Sequence, residues 1–336
     1  MRYLELSGGP REIGIKHGAA FADDIKQRYA QYCVRRGKTP DKLKPSIRKY
    51  VEEKLPEIAE EIEGVAKGAG MTYEEIFAYN HFNVISGCTP VFFRHSELGP
   101  LLAQNLDCEP EELTDQLVRR IVPSRGQACL IVGRVGTVWA SNWVNQAGIA
   151  KTGVSAHQQH YRTEDGTHGN IIQYAIAREA KTLDEAFNII SAHRHLGKAG
   201  ISLFADAAGR AIHVEGDADR KWKTEISDDF AFSTGLYITG NVISRDKPET
   251  QRPGLARKET VEQVYREGKI EFTLDGMKKL LSYHAPDPGS VCRHNRSAGS
   301  ATQSTRIWIL RERKLLVTDG PPCAAKFQEF TLKDGA

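Results

Sequence analysis

The chain has 336 residues, of which 40% are hydrophobic and 26% are charged, a balance typical of a globular protein with a substantial buried core. Its formal net charge of +3 is too small to indicate binding to nucleic acid or to a membrane surface. No apolar run approaches the roughly 20 residues that span a bilayer, and the first residues lack the apolar core of a signal peptide. These properties argue against nucleic-acid-binding and membrane-spanning classes.

The cysteines are spread along the chain and form no CxxC pair. They are Cys33, Cys88, Cys108, Cys129, Cys292 and Cys323. This spacing predicts neither a zinc site nor a dense disulfide framework. We therefore expect reduced thiols, a cytoplasmic location, and no metal or organic cofactor.

The predicted elements before residue 88 are mostly helical. A short strand over 3–7 precedes a helix that runs from Pro10 towards Tyr32, and a basic, polar linker follows over 34–46. The next segments are again helical.

Apolar residues at spacings of three and four then predict one face of an amphipathic helix. These residues are Val51, Leu55, Ile58, Ile62 and Val65. Pro56 lies inside the pattern and indicates a kink or the true first turn of the helix. Thr72 and Glu75 form a capping box for the helix that follows.

After residue 88 the sequence favours strands. Segments 89–93 and 101–107, with a turn at 97–100, form a predicted hairpin that brings Asp107 beside Cys88. The remaining predicted elements are strands over 128–132, 137–141 and 149–154, helices around 171–176 and from Thr182, strands over 201–206, 211–215, 230–232 and 237–239, a mostly helical stretch over 254–281, and a hairpin of 306–310 with 314–318. Strands, a helical pair and then strands favour an α+β fold with helices packed against antiparallel sheets.

Gly87 and Cys88 are the candidate site for chemistry. If the bond between them were cut, Cys88 would carry a thiol that attacks carbonyls and an α-amine, with a reference pKa of about 7.7–8.0, that takes the thiol proton. Glycine before the cysteine tolerates unusual backbone geometry and leaves its carbonyl open to attack. On these residues alone, a cysteine is more often a small buried hydrophobic residue.

A set of ordered motifs carries a resemblance to a known family. The motifs are Gly9-Pro10-Arg11-Glu12-Ile13-Gly14 with His17-Gly18, Glu60 to Ala69, Gly87-Cys88-Thr89, Gln104-Asn105-Leu106-Asp107, Asn145 to Ala150, and Pro288 to Arg293. With them the chain resembles the acyl-coenzyme A:isopenicillin N acyltransferase family of the N-terminal nucleophile (Ntn) hydrolases. The resemblance implies an αββα sandwich, self-cleavage before Cys88, and hydrolysis or acyl transfer at an amide bond through a thioester.

The resemblance also implies roles for individual residues. Cys88 would be the nucleophile and its freed amine the base, with Asp107 orienting that amine. Asn241 would supply an oxyanion-hole amide, a contribution that can reach ~3 kcal/mol. The family usually has asparagine directly after threonine, whereas Gly240 separates Asn241 from Thr239 here.

The late strand also departs from the family pattern, which carries an arginine there. In this chain the corresponding place holds Ser304 and Thr305, which are expected to line the substrate pocket. Arg306 falls several residues late and is not expected to be catalytic. Because of this departure, the resemblance predicts the type of reaction better than it predicts the identity of the substrate.

The whole chain, 1–336, is predicted to form one Ntn-type domain that is cut into two fragments. Fragment 1–87 would be mostly helical, and fragment 88–336 would be catalytic. They should stay associated because the cut falls within one folding unit. The expected partner is a small amide or acyl-donor substrate, with no nucleic acid and no membrane.

Two other interpretations remain open. An uncut Cys-His hydrolase would need a histidine beside the thiol, for example His81 or one of His157, His160 and His168, although sequence spacing does not show this. The last three could bind a metal with Asp165, but their spacing matches no established ligand pattern. A non-catalytic binding protein on the same fold would account for the altered threonine–asparagine pair and the displaced arginine.

Overall fold

The computed structural model describes residues 1–82, 87–108, 115–197, 199–294 and 300–332. Helices and strands alternate in blocks along these residues. Among the described residues, no helix combines the length and the apolar character needed to cross a membrane.

The helices are numbered in chain order. They are α1 (Pro10–Ala20), α2 (Ala22–Tyr29), α3 (Pro45–Lys54), α4 (Pro56–Ala69), α5 (Tyr73–Phe82), α6 (Gly169–Glu179), α7 (Leu183–Ala192), α8 (Pro248–Arg266) and α9 (Leu274–Leu281). A π-helical turn over Ala30–Val34 follows α2, and a short 3-10 helix over Pro40–Lys42 precedes α3.

The strands are numbered in the same way. They are β1 (Arg2–Gly8), β2 (Cys88–Phe93), β3 (Leu101–Cys108), β4 (Gln116–Pro123), β5 (Cys129–Arg134), β6 (Asn142–Asn145), β7 (Ile149–Val154), β8 (Thr167–His168), β9 (His195–Leu196), β10 (Ile201–Asp206), β11 (Ala211–Gly216), β12 (Lys221–Glu225), β13 (Phe230–Phe232), β14 (Ala301–Ile309), β15 (Lys314–Thr318) and β16 (Phe327–Thr331).

Most strands belong to two large sheets. The first sheet has the order β1-β4-β5-β6-β7-β10-β11-β12, and the second has the order β13-β2-β3-β14-β15-β16. Neighbours within both sheets are antiparallel apart from β1 and β4. The short strands β8 and β9 form a separate parallel pair.

Three hydrophobic clusters define four layers. Between the sheets, Leu130 and Val144 of the first sheet pack with Phe92 and Trp308 of the second. The outer face of the first sheet is covered by α1 and α3–α7, and the outer face of the second by α8 and α9. This αββα arrangement confirms the fold predicted from the sequence.

Pro56 separates two helices. The apolar pattern that predicts one helix is divided between α3, which contains Val51, and α4, which contains Ile58 and Ile62. Leu55 lies between them with φ −139°. Pro56 occupies the first turn of α4, where its missing N–H removes no helical hydrogen bond.

Two predicted strands are wrong. Segment 137–141 is not a strand, and β6 begins only at Asn142. Segment 237–239 is not a strand because the backbone N–H groups of Ile238 and Thr239 donate to the Glu215 carboxylate instead of to a neighbouring strand. The predictions missed β4, β8, β9, β12 and β16.

The hairpin of β2 and β3 positions the candidate site. Cys88 pairs with Leu106 and Thr89 with Asn105, so Asp107 lies one residue beyond the partner of Cys88. β14 lies on the other side of β3 and pairs Arg306 with Gln104. Because side chains alternate along a strand, Cys88, Gln104 and Arg306 share the face that points towards the first sheet.

Candidate active site

The backbone between Gly87 and Cys88 is held by the neighbouring strand. The Gly87 carbonyl oxygen accepts a hydrogen bond from the Asp107 backbone N–H at 3.1 Å. Gly87 has φ +78°, and a Cβ there would lie 2.9 Å from the Asp107 carbonyl oxygen. Glycine is therefore the residue that fits without strain. Ser86, on the other side of Gly87, lies outside the described residues.

The Cys88 thiol is buried, with 5% of the residue exposed. Gln104 donates from Nε2 to the Cys88 Sγ at 2.8 Å, and its Oε1 accepts from the Gly153 N–H at 3.1 Å. Burial, followed by the nearby Asp107 carboxylate, raises the pKa of the Cys88 thiol to about 12. The thiol is protonated near neutral pH, so a base must take its proton before it attacks.

The Asp107 carboxylate is fully buried and held by three side chains. Thr302 Oγ1 donates to Oδ1 at 2.7 Å, and Arg257 Nη1 donates to Oδ2 at 3.3 Å. Arg293 Nη1 lies 3.8 Å from the same Oδ2. Two cations thus offset the cost of burying this charge and fix its position.

Cys88 opens onto a cavity of about 370 Å³ that is lined by residues of both sheets and of helices α5 and α6. The polar side chains that line it include Gln104, Ser141, Asn142, Lys151, Gln173, Arg306 and three histidines, His81, His168 and His195. Several of their buried atoms make no hydrogen bond with any described residue, namely Asn142 Oδ1, Arg306 Nε and both ring nitrogens of His195. Because buried polar groups normally have partners, these atoms are ones that a ligand or an ordered water in the cavity can satisfy.

Two cations face the same cavity as the thiol. Burial lowers the pKa of Lys151 to about 8 and that of Arg306 to about 10. Lys151 Nζ donates to the Ser141 carbonyl at 3.1 Å, and Arg306 Nη2 donates to Gln116 Oε1. Both cations act to lower the pKa of the Cys88 thiol, although burial outweighs them. They can stabilise a thiolate, an oxyanion or an acidic substrate group.

The three histidines on the cavity wall are held neutral. Burial lowers the pKa of His81 to about 4 and that of His168 to about 3, and it lowers the pKa of His195 well below its ordinary value. Both His81 nitrogens are engaged, with the Phe77 carbonyl at 2.8 Å and Thr167 Oγ1 at 3.1 Å. Neither ring nitrogen of His195 has a hydrogen-bond partner among the described residues.

The three histidines considered as metal ligands, His157, His160 and His168, do not form one cluster. His157 Nδ1 contacts Asp246 Oδ1 at 2.5 Å, and His160 Nε2 contacts Asp219 Oδ2 at 2.8 Å. His168 stacks on Trp139 with ring centroids 4.5 Å apart. In the described chain these histidines therefore belong to separate local contacts and form no metal-binding group with Asp165.

Three predicted site residues do not reach the cavity. Asn241 is exposed, and its backbone N–H donates to Thr239 Oγ1 at 3.3 Å. Ser304 and Thr305 are fully buried, and their hydroxyls donate to the Thr318 carbonyl at 2.8 Å and to Asn105 Oδ1 at 2.6 Å. None of the three is among the described residues that line the cavity. Ser304 and Thr305 do not reach the cavity because their hydroxyl groups form hydrogen bonds to neighbouring strands of the second sheet.

The structure instead places Asn142, Lys151 and Arg306 on the wall of the cavity onto which Cys88 opens. The sequence pattern predicts no catalytic role for Arg306 and does not single out the other two. The register of β14 against β3 places Arg306 at the site, because Arg306 pairs with Gln104 and its side chain lies on the same face of the sheet. That register cannot be read from the sequence around Arg306 alone.

The four-layer sandwich, with a glycine–cysteine bond at the start of a central strand, has the architecture of the N-terminal nucleophile hydrolases. No family model matches the chain. Among curated proteins, it is 27% identical over 248 residues to the acyl-coenzyme A:6-aminopenicillanic-acid-acyltransferase 40 kDa form of Emericella nidulans. The match covers 64% of this chain and 69% of the relative. This similarity confirms the resemblance to the acyltransferase family and agrees with amide hydrolysis or acyl transfer as the general kind of function.

Solved structures give weaker similarities. A mutant of conjugated bile acid hydrolase from Clostridium perfringens has a TM-score of 0.49 at 10% identity, covering 74% of this chain and 99% of that one. A Caenorhabditis elegans orthologue of N-acylethanolamine-hydrolyzing acid amidase has a TM-score of 0.46 at 13% identity, covering 67% and 93%. Penicillin V acylase from Agrobacterium tumefaciens has a TM-score of 0.42 at 12% identity, covering 69% and 83%.

Proposed function

We propose that the chain cuts its own Gly87–Cys88 bond and then uses Cys88 as an N-terminal nucleophile on small amide or acyl-donor substrates. The observation that carries this proposal is the hydrogen bond from the Asp107 N–H to the Gly87 carbonyl oxygen, directly before the Cys88 thiol. Such a donor stabilises the negative charge that develops on a carbonyl oxygen under attack.

The cut would proceed by an acyl shift. The Cys88 sulfur, after losing its proton, attacks the Gly87 carbonyl carbon, and the carbon–nitrogen bond breaks as the nitrogen takes up a proton. The product is a Gly87 thioester on Cys88, which water hydrolyses to a Gly87 carboxylate, a free thiol and a free amine. Before the cut the Cys88 nitrogen is in a peptide bond and cannot act as the base. Lys151, which lines the same cavity and has a pKa of about 8, is the base that we assign to this step.

After the cut, the free amine of Cys88 would replace Lys151 as the base, with the Asp107 carboxylate orienting it. The thiolate attacks the substrate carbonyl, the leaving group takes a proton, and a thioester remains on Cys88. Water then gives hydrolysis, and an amine gives acyl transfer. Asn142 lines the cavity, so we assign to its Nδ2 amide group, a hydrogen-bond donor, the oxyanion contact that the resemblance implies for Asn241.

The substrate class follows from the cavity. Lys151 and Arg306 favour a substrate with an acidic group near its reacting carbonyl, and about 370 Å³ suits a small molecule. The name of the Emericella relative gives it an acyl-coenzyme A donor and a 6-aminopenicillanic acid acceptor. For this chain we propose a small acidic amide or acyl donor, handled in the cytoplasm, without a nucleic-acid or membrane partner.

The test of self-cleavage is the intact mass of the purified protein under denaturing conditions, beside a Cys88→Ala variant. We expect two fragments, one ending at Gly87 and one beginning at Cys88, and an uncut chain in the variant. A single full-length mass in both samples would contradict the proposal. Fragments in both samples would mean that another protein makes the cut.

A second candidate is an uncut Cys-His hydrolase that uses His195, because both ring nitrogens of this buried cavity residue lack a partner among the described residues. This hypothesis predicts a full-length chain whose activity is lost in His195→Gln. Alkylation followed by peptide mapping separates both enzymes from a binding protein, because an activated Cys88 reacts faster than the likewise buried Cys33 and an inert Cys88 does not; the exposed Cys323 is followed separately.

A further inference from the structure

A second cluster of reactive side chains lies outside the Cys88 cavity. Its members are His284 after α9, Cys292 and His294 before β14, and Cys323 between β15 and β16. Each offers one nitrogen or sulfur atom, and these four atoms all lie within 4.8 Å of one another. Three separate loops thus converge on one point.

Four distances within this cluster are close to those expected around a shared metal ion. The Sγ atoms of Cys292 and Cys323 are 3.7 Å apart, and the Nε2 atoms of His284 and His294 are 3.2 Å apart. His294 Nε2 lies 3.5 Å from the Cys292 Sγ and 3.2 Å from the Cys323 Sγ. Zinc bonds of about 2.3 Å to sulfur and about 2.0–2.1 Å to nitrogen, in a tetrahedron, separate the ligand atoms by about 3.3–3.8 Å.

We propose that His284, Cys292, His294 and Cys323 bind a structural zinc ion. Two thiolates and two imidazoles are a ligand set that zinc prefers, whereas magnesium and calcium prefer oxygen ligands. Four protein ligands complete the tetrahedron and leave no position for a reacting water, so the ion is structural and not catalytic. The cysteine spacing predicts no zinc site because the ligands form no CxxC pair.

The site would also fasten a loop that reaches Asp107, a role that rests on the proposed function. Arg293 lies between two of the ligands, its backbone N–H donates to Thr302 Oγ1 at 2.8 Å, and its Nη1 lies 3.8 Å from Asp107 Oδ2. Next to the first ligand, the Tyr283 carbonyl accepts from the Cys292 N–H at 3.0 Å. Arg293 is therefore a positioning residue for Asp107, held in place by the metal on both sides.

The test measures metal in the full chain. Cys88→Ala protein, which cannot cut itself, is purified without chelators, and its zinc is measured by inductively coupled plasma mass spectrometry. We expect one zinc per chain, and less in a second protein that also carries Cys323→Ser, an exposed position where serine fits. Zinc affinity in competition with a coloured chelator should fall by more than about tenfold. Cys33→Ala, which removes a buried thiol far from the cluster, should keep the zinc.

Cobalt provides an independent readout of the ligands. Growth in zinc-depleted medium with cobalt should load the site during folding and give tetrahedral visible bands with a thiolate-to-cobalt absorption. Absence of both stoichiometric zinc and the thiolate absorption overturns the proposal. So does zinc content unchanged by Cys323→Ser, or a Cys292–Cys323 disulfide detected as a loss of two hydrogens in mass. Because the Cys88→Ala chain is used, failure of self-cleavage leaves this result intact.

A separate experiment tests whether the zinc site positions Arg293 against Asp107. In a chain with Cys88 present, Cys323→Ser should slow the appearance of the two fragments, and zinc added during synthesis should not restore the rate. If Cys323→Ser loses zinc and cuts at the unchanged rate, the zinc site stands and its role in holding Arg293 against Asp107 is wrong.

Discussion

At the scale of single residues, the backbone conformation of Gly87 bears directly on the proposed self-cleavage. Its positive φ allows its carbonyl to meet the Asp107 N–H, and a Cβ would lie 3.1 Å from the Asp107 Cβ. Gly87→Ala should therefore slow self-cleavage by at least about tenfold, because it strains the turn by about 1–2 kcal/mol and displaces the donor. The fraction of cut chain at fixed times after cell-free synthesis gives the rate.

Gly240→Ala is the matched control for this experiment. Gly240 has φ +74°, so alanine costs similar strain there, but the added Cβ meets no atom within 4 Å. We expect normal cutting in this variant. Equal rates for Gly87→Ala and the unmodified chain would show that the contact with Asp107 does not assist the cut.

Lys151 gives a prediction for pH. A base must be neutral to take the thiol proton, and the neutral fraction of Lys151 grows as the pH rises through its pKa of about 8. The rate of self-cleavage should therefore rise with pH and level off above that value. Lys151→Met should slow the cut and remove the inflection, as measured by intact mass across a pH series.

Lys221 serves as the control for Lys151. Burial also lowers its pKa to about 8, but it is not among the described residues that line the cavity. Lys221→Met should keep both the rate and the inflection. An inflection near pH 8 that persists in Lys151→Met would assign the base to another group.

The residues of the candidate site differ in how far the sequence predicts them. Cys88 and Asp107 belong to motifs that can be recognised directly, and the turn between β2 and β3 brings them together. Lys151 and Arg306 come from β7 and β14, and their meeting depends on strand register and on how two sheets stack. Strand register and sheet packing depend on residues that are far apart in the sequence, so no local sequence pattern predicts them.

At the scale of elements, α1 and α4 show what the first two motifs do. These helices cross with glycines at the contact, since a Cβ on Gly14 would lie 2.2 Å from the Glu61 carbonyl oxygen and one on Gly64 would lie 2.3 Å from that of Arg11. The motifs thus have a packing role as well as any family role. The sequence predicted helical structure in both segments, but only the structure shows that the backbones of α1 and α4 touch.

Gly64→Ala tests this contact by the sign of its effect. In an exposed helix, replacing glycine by alanine stabilises by about 1 kcal/mol. Here the added methyl group must push α1 away, so the free energy of unfolding should fall by about 1–3 kcal/mol. Chemical denaturation of the Cys88→Ala chain provides the measurement. Gly9→Ala is the control, because the atom nearest its Cβ is 3.9 Å away, and a stabilised Gly64→Ala would refute the close contact.

At the scale of the whole molecule, the two predicted fragments are interleaved. β1, from the first fragment, pairs with β4 of the second from Arg2–Leu117 to Gly8–Pro123. Helices α1, α3, α4 and α5 of the first fragment cover the outer face of a sheet that the second fragment mostly supplies. Their separation would expose this core, which supports the expectation that they stay together.

Buried histidines set the response of the whole fold to acid. His17 and His195 are 0% and 1% exposed, and burial lowers the pKa of each well below its ordinary value. As the pH falls below about 6.5, these histidines become protonated in the unfolded chain but stay neutral in the folded chain. The free energy of unfolding therefore falls by up to about 1.4 kcal/mol per pH unit for each histidine. Above that pH both states hold them neutral and the effect vanishes.

The pH dependence should therefore weaken when one such histidine is removed. Neither His195 ring nitrogen has a partner among the described residues, so His195→Gln breaks no hydrogen bond seen there. Denaturation of the Cys88→Ala chain between pH 7 and pH 5 should show a shallower loss of stability in this variant, by about the contribution of one histidine. An identical slope in His195→Gln would mean that His195 takes up its proton over the same pH range in the folded and unfolded chains, which would contradict the lowered pKa of this residue.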